Sequence, residues 1–328
     1  MRQRKLGPFS VSSVALGCMS LSHGYGGRPD RADAEALLNK ALDVGYTLLD
    51  TATVYGMGAN ESLIGETLKG RRGEFTLASK CALYIADGKR VIDGRPETLR
   101  KSLDDSLKRL QTDVIDLYYL HRLDPDTPIE DSVGELARAV QAGKIRGVGL
   151  SEMSAATLRR AHAVHPIIAM QTEYSLWTRN PEIAVLDACR ELGVAFVAFS
   201  PVARGFLSAA PPMTLEPGDI RAGMPRFLGE TYAANLKLLE PFGALAREAG
   251  CTMAQLALAW VLAQSEHIIA LPGTAKIAHM IENAEAAALD LDPALLKRAG
   301  QIINRNTVRG PRYNASNQLD IDTEEFAA

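Results

Sequence analysis

The chain has 328 residues, 47% apolar and 23% charged, with a formal net charge of −3. This places it inside the globular range with enough apolar content for a large core, and the mild negative charge excludes a generic electrostatic grip on nucleic acid or an anionic membrane. Four scattered cysteines without a CxxC pair, a basic stretch over residues 1–10 lacking an apolar signal core, and a longest apolar run (256–263) too short to span a bilayer predict a cytoplasmic protein with reduced thiols.

Residues 3–12 hold Gly7-Pro8 between two short segments and read as a leading hairpin. An alternation follows. A strand over 14–18 precedes a helix over 31–44, with Ala34, Leu37, Leu38, Ala41 and Leu42 on one face. A strand over 46–50 leads to a helix over 61–69 with Asn60 as its N-cap, and a strand over 75–80 leads through a long polar loop to a helix over 96–110 with Pro96 in its first turn. Strand 114–121 and helix 129–142, closed by Gly143, come next; strand 145–151 and helix 155–163 follow, then strand 168–172 and helix 182–192, stopped by Gly193. Strand 194–200 precedes a long interval, and strand 268–271 leads to a final helix over 277–288.

Eight short apolar strands, each followed sooner or later by a helix, predict an α/β protein: a single closed (β/α)8 barrel domain over 1–328. The interval 201–264 is too long for one unit. Its Pro/Gly-rich loop (209–225) and two helical segments (232–249 and 253–263) read as an insertion over the barrel mouth, and the polar tail beyond Asn306 as a segment either folded over the mouth or loose.

In such a barrel the active site is built at the C-terminal ends of the strands. Those ends carry Asp50, Lys80, His121, Ser151 with Glu152, Gln171, Ser200, and Gly273 with Thr274, although the strands behind them are apolar. Tyr55 follows Asp50 in the next loop. A phenol ordinarily holds its proton to a pKa of about 10, and a neighbouring ammonium such as Lys80 favours the phenolate and lowers that value. Asp50 would hold Lys80 charged, and His121 could orient a carbonyl oxygen by a hydrogen bond. The group describes acid–base work on C=O without a metal. His162 and His165 form the only close histidine pair and have no third ligand in the pattern, and Asp116 inside its strand reads as a structural ion-pair partner.

Pro272-Gly273-Thr274-Ala275-Lys276 opens the last helix and presents backbone N–H groups and a lysine, a physical anion site, with His279, Glu282 and Asn283 one and two turns on. No GxGxxG stands between a strand and a helix, so a dinucleotide would lie extended across the mouth.

These runs, with Gly56, Gly58, Glu61 and Gly65 after Tyr55, residues 116–121 (DLYYLH), 147–151 (GVGLS), 171–177 (QTEYSLW) and 199–201 (FSP), resemble the aldo-keto reductases over nearly the whole chain, in particular the bacterial and plant branch with perakine-reductase-like and auxin-induced-protein-like members. The resemblance implies NADPH-dependent reduction of an aldehyde or ketone, with Tyr55 as proton donor, Lys80 and Asp50 as its tuning pair and His121 orienting the substrate. It implies that Ser151 and Gln171 bind the nicotinamide carboxamide, that Phe199 stacks on the ring, and that Ser200, Val202, Arg204, Gly205 and Leu207 border the pyrophosphate. Gly273, Thr274, Lys276 and His279 would lie by a 2′-phosphate and Glu282 and Asn283 by the adenine, favouring NADPH over NADH. Three positions depart from the family pattern: Glu152 stands where asparagine is frequent, and Ala275 and His279 stand where stronger bases are common. Tyr25, Met57, Tyr84, Arg122, Trp177 and the 209–225 loop are the candidates for lining a mixed aromatic-polar pocket for a medium-sized carbonyl compound. Two other functions stay open: a lyase or aldolase using Lys80 as a Schiff base, and a cofactor-sensing regulatory subunit with little turnover.

Overall fold

A strand buried on both faces shows no polar alternation, so its inward side must be found from packing. The computed structural model describes residues 1–327. Its strands are β1 (Gln3–Leu6), β2 (Phe9–Ser12), β3 (Leu16–Gly17), β4 (Leu48–Asp50), β5 (Thr76–Cys81), β6 (Leu83–Ala86), β7 (Lys89–Ile92), β8 (Leu117–Leu120), β9 (Val148–Ser151), β10 (Ile167–Glu173), β11 (Ala195–Phe199) and β12 (Ile268–Leu271). One eight-stranded sheet runs in the order β3-β4-β5-β8-β9-β10-β11-β12, with parallel neighbours throughout. Parallel bridges from Val14 to Ala270 and from Gly17 to Gly273 join its two edges. The sheet is therefore the expected (β/α)8 barrel.

Two apolar layers divide along the strand period of two. Leu48, Ala78, Leu117, Tyr119, Ala169, Ala195, Val197, Ile269 and Leu271 fill the interior, and Leu6 and Val11 of the β1–β2 hairpin plug its N-terminal end. The alternate residues, such as Leu49, Leu77, Tyr118, Leu150 and Phe196, join the helices in the outer layer. Interior space is tight: a Cβ added at Gly149 would stand 2.4 Å from the Tyr119 ring, so glycine there is what admits the tyrosine.

Helix Pro96–Leu110 forms as expected, and Gly193 ends helix Val185–Leu192 in the left-handed region at φ +69°. Asp116 accepts from Arg72 (2.7 Å) and lies 3.1 Å from Arg146, the structural ion pairing expected of it. Several expectations are corrected. Asn60 is not an N-cap; it lies in the first turn of helix Ala59–Leu68, fully buried, and bonds Thr51 (2.6 Å), Ser22 (2.7 Å) and the Cys18 carbonyl (2.8 Å). The loop before Pro96 contains the β6–β7 hairpin, turned by Asp87 (φ +49°) and Gly88 (φ +72°). The segment 232–249 is two helices, Gly229–Leu236 and Leu239–Glu248. Helix Met253–Ala263 is buried on nearly all sides and packs on β12, which makes it the barrel's own helix and confines the inserted material to the residues before it. A further helix, Pro293–Ile302, follows the one expected to be last. No helix of the described residues is long and apolar enough to cross a membrane.

Candidate active site

Continuing five inward rows by one strand period brings polar side chains. Leu48 is followed by Asp50, Ala78 by Lys80, Tyr119 by His121, Gly149 by Ser151 and Ala169 by Gln171, while Val197 is followed by the aromatic Phe199. Register places these ends side by side, Asp50 opposite Ala78 and Gln171 opposite Ser151. The apolar interior thus ends in a polar floor.

On that floor Lys80 is fully buried and its Nζ donates to Asp50 Oδ1, to the Thr51 carbonyl (2.7 Å) and towards the Tyr55 hydroxyl (3.5 Å). Gln171 Nε2 donates to the other Asp50 oxygen at 2.8 Å. Burial alone would pull the ammonium down, but Asp50 and Tyr55 overcome it and leave Lys80 above its ordinary value. Tyr55 corrects the expectation of a lowered phenol. Desolvation at its hydroxyl outweighs the nearby Lys80 charge, so its pKa stands above the usual 10. Lys80 still acts in the expected direction, as the smaller effect.

Tyr55 begins a turn in which Gly56, Met57 and Gly58 hold φ of +57°, +53° and +92°, and this backbone swings its ring over the strand ends. The ring meets His121 edge-on (6.1 Å between centroids) and His23 at 5.7 Å. His121 is buried, and burial, then the Arg122 and Lys80 charges, hold it well below the usual imidazole range. It is a neutral ring whose Nδ1 has no hydrogen-bond partner among the described residues. Neutral imidazole carries one N–H donor, suited to a carbonyl oxygen.

These groups line a cavity of about 680 Å³, within the usual range of small-molecule sites. Of the residues singled out from sequence, the wall carries Tyr25, Asp50, Tyr55, His121, Arg122, Ser151, Gln171, Phe199, Ser200, Val202, Arg204, Gly205, Gly273, Thr274, His279, Glu282 and Asn283. It does not carry Met57, Tyr84, Trp177, Leu207 or Lys276, and Lys80 lies beneath the floor. Met57 turns outward, 78% exposed. Tyr84 sits in β6 between Leu83 and Ile85, whose side chains take the inward positions of that strand. Trp177 is buried against Phe206 and Phe227 behind the wall, and Leu207 is buried too. Lys276 is exposed at the N-terminus of helix Ile277–Glu285.

Strained backbone collects around this cavity. Ser200, Ala203 and Arg204 hold φ of +52°, +48° and +57°, and Glu152 +57°, values that L-residues adopt at a cost of about 1 kcal/mol or more each. Buried ion pairs secure Arg204 and Glu152. Arg204 donates to Glu173 (2.5 Å) and Tyr313 (3.0 Å), so its charge is already matched. Arg312 donates to both Glu152 oxygens and to Glu173 (2.9 Å), all nearly fully buried. Burial would raise Glu173, but Arg204 and Arg312 overcome it and hold it down to about 2. The tail therefore folds back: Asp322 accepts from Ser154 (2.8 Å) and Thr157 (2.7 Å), Thr323 donates to Glu152 (2.8 Å), and Tyr313 and Asn317 join the cavity wall.

Sequence reasoning missed several wall residues: Met19, Ser20 and His23 after β3, Leu83, Ile85 and Arg90 of the hairpin, and Tyr313, whereas the 209–225 loop reaches the wall as expected, through Arg221 among others. Asp87-Gly88 between alternating residues was the available signal for the hairpin. Nothing local marks Arg312 or Tyr313, because their partners lie well over a hundred residues away for Glu152 and Glu173. His162 Nδ1 accepts from the Ile167 N–H (3.2 Å), and Cys81 is a packed thiol pushed up by burial.

Fold and site together define a (β/α)8 barrel that gathers a buried lysine, a carboxylate, a phenol and an imidazole at its strand ends. The sequence profile of the Aldo/keto reductase family matches residues 13–304, and the chain belongs to that family of oxidoreductases, which use nicotinamide cofactors on small-molecule substrates. Solved structures similar to it include a glycerol dehydrogenase from Gluconobacter oxydans (29% identity, 94% of this chain and 97% of that one, TM-score 0.84). An aldo-keto reductase from Bacillus halodurans in its holo form is similar at 29% identity over 94% and 98% (TM-score 0.77). An aldo/keto reductase from Klebsiella pneumoniae, in complex with NADP and acetate, is similar at 25% identity over 93% and 95% (TM-score 0.72).

Proposed function

We propose that this protein reduces an aldehyde or ketone to the alcohol with NADPH, and that Tyr55 gives the proton. The observation that carries the reading is the Tyr55 hydroxyl 3.5 Å from a fully buried Lys80 ammonium that Asp50 and Thr51 clamp in place. The residues present fit an extended nicotinamide dinucleotide. One end of the cavity has Ser151 and Gln171 for a carboxamide and Phe199 for a ring face; the other has the helix start at Gly273–Lys276 with buried Thr274 and Asn283. When bound, NADPH supplies a hydride to the carbonyl carbon.

The chain's own residues do the rest. Neutral His121 donates to the carbonyl oxygen and polarises it, and Tyr55 passes its proton to the same oxygen as negative charge develops there. The resulting phenolate is stabilised by Lys80, whose own proton is retained by Asp50. Gln171, bonded to Asp50, fixes that carboxylate so that its charge faces Lys80. The exposed Lys276 lies where a 2′-phosphate would meet the helix start, which supports NADPH over NADH.

A Schiff-base mechanism needs a neutral lysine, and the ion pair that keeps Lys80 charged argues against one. A regulatory cofactor sensor would leave the acid–base group without use. Protein fluorescence should be quenched on NADPH addition, and NADPH oxidation should follow on a panel of aldehydes and ketones. Quenching without turnover across the panel would favour the sensor instead.

A further inference from the structure

Four arginines reach the cavity wall, and three are already paired: Arg204 with Glu173 (2.5 Å), Arg221 with Asp219 (2.5 Å) and Arg90 with Asp320 (3.0 Å). Arg122 differs. It is only 8% exposed, yet it forms no ion pair with a carboxylate of the described residues. Its Nη1 donates to the His121 carbonyl (2.6 Å) and to Ser151 Oγ (3.3 Å). Its Nε is buried without a partner, and Nη2 has no acceptor among the described residues. Glu152, close enough to feel the Arg122 charge, is committed to Arg312 and Thr323.

A buried guanidinium with vacant donors is costly unless something fills them. Nε is sealed in the wall, and Nη2 is the donor left open to the cavity, where the oxygen of a carboxylate is the partner that a buried cation favours. The other charged cavity groups leave this place positive. Asp50 is neutralised by Lys80, Glu282 belongs to the helix at the opposite end, and His121 is neutral. Arg122 Nη1 bonds the His121 carbonyl and Ser151 Oγ, so its guanidinium stands at the strand ends beside His121 and on the wall of the same cavity.

We infer that Arg122 binds the carboxylate of the substrate, so that the compound reduced is a short oxo acid with its aldehyde or ketone held between Tyr55 and His121. For 4-oxobutanoate the carbonyl carbon gains the hydride of NADPH and the oxygen gains the Tyr55 proton, giving 4-hydroxybutanoate and NADP⁺. Solvent reprotonates Tyr55. The inference rests on the reductase reading.

The test is kcat/KM with NADPH for 4-oxobutanoate and for its methyl ester, in the wild type, Arg122→Met and Arg122→Lys, with Tm and the Kd for NADPH measured alongside. The wild type should prefer the acid by about 10-fold or more, the scale of a charged hydrogen-bonded pair. Arg122→Met should lose about 10- to 100-fold more on the acid than on the ester, mainly in KM, and Arg122→Lys should recover part of the preference. Equal wild-type values for acid and ester, or equal losses on both, overturn the inference and leave Arg122 a support for His121. A weakened Kd for NADPH that accounts for the loss also overturns it, by giving the guanidinium to the cofactor. If no carbonyl compound is turned over, the reductase reading fails by itself. Calorimetric titration with 4-hydroxybutanoate then decides the anion site: binding that Arg122→Met abolishes retains it, and no binding to the wild type overturns it.

Discussion

Replacing Arg312 with methionine removes the cation that ties the C-terminal tail to the strand ends. The change leaves Glu152 and Glu173 buried, Glu152 with only the Glu173 N–H and Thr323 as partners and Glu173 with Arg204 and Thr178. Removing one member of a buried ion pair costs roughly 3–5 kcal/mol. Unfolding entropy of about 2.1 cal/mol/K per residue over 328 residues gives about 0.7 kcal/mol/K, so the expected fall in Tm is about 4–7 °C. Acid pH supplies an independent reading. Glu173, held at about 2 against an ordinary 4.5, contributes roughly 3 kcal/mol. A depressed carboxylate stabilises fully above its unfolded value, so this contribution is present above about pH 4.5 and is lost as pH falls towards 2. Scanning fluorimetry of both proteins from pH 3 to 8 measures both effects. Arg312→Met should melt lower at pH 7 and lose less on acidification. A variant that melts within about 1 °C of the wild type at pH 7, with the same acid slope, would refute the reasoning.

Other outcomes follow from the same geometry. Gly65 packs so closely on helix Pro96–Leu110 that an added Cβ would stand 2.4 Å from the Arg109 carbonyl oxygen; Gly65→Ala should lower stability by roughly 1–3 kcal/mol in denaturant titration, and an unchanged midpoint would contradict this contact. Because Tyr55 is raised above 10 and must be protonated to donate, kcat for reduction should stay flat from pH 6 to 9 and fall only above about pH 10. His121, held well below its ordinary value, should add no limb near pH 6.5; a limb there would show that it charges in the working range. Lys276→Ala should raise KM for NADPH about 10-fold and leave KM for NADH nearly unchanged, whereas equal effects on both would remove Lys276 from the phosphate site.

The barrel was legible because its signal is local and repeated. Seven of the eight short apolar runs end in a polar residue or glycine, and Asp50, Lys80, His121, Ser151 and Gln171 could be read off as strand ends without knowing how the strands pair. The β6–β7 hairpin and helix Pro293–Ile302 were legible in principle: Asp87-Gly88 is a two-residue turn signature, and Asp292-Pro293 is an N-cap followed by proline in the first turn. Tyr84 was misplaced because overlooking that hairpin removed the alternation that sends it away from Leu83 and Ile85. Trp177 was misplaced for another reason. An aromatic near a strand end fits a pocket or a core equally well, and Phe206 and Phe227, from the distant inserted loop, decide for the core. The direction of the Tyr55 shift was beyond sequence altogether. It depends on whether the desolvation of one hydroxyl exceeds the field of one ammonium, and only the packing settles that. The Glu152–Arg312–Glu173–Arg204 cluster was equally hidden: Glu152 read as a strand-end residue and Arg204 as a pyrophosphate neighbour, and nothing local ties either to Arg312.

The central claim is that Tyr55 delivers the proton to a carbonyl oxygen. Steady-state NADPH oxidation with a responsive aldehyde, in the wild type and in Tyr55→Phe, tests it most directly when NADPH binding is titrated by fluorescence in the same samples. The account predicts that Tyr55→Phe binds NADPH with unchanged Kd and loses about 10²- to 10⁴-fold in kcat. A Tyr55→Phe enzyme that turns over at the wild-type rate would contradict it.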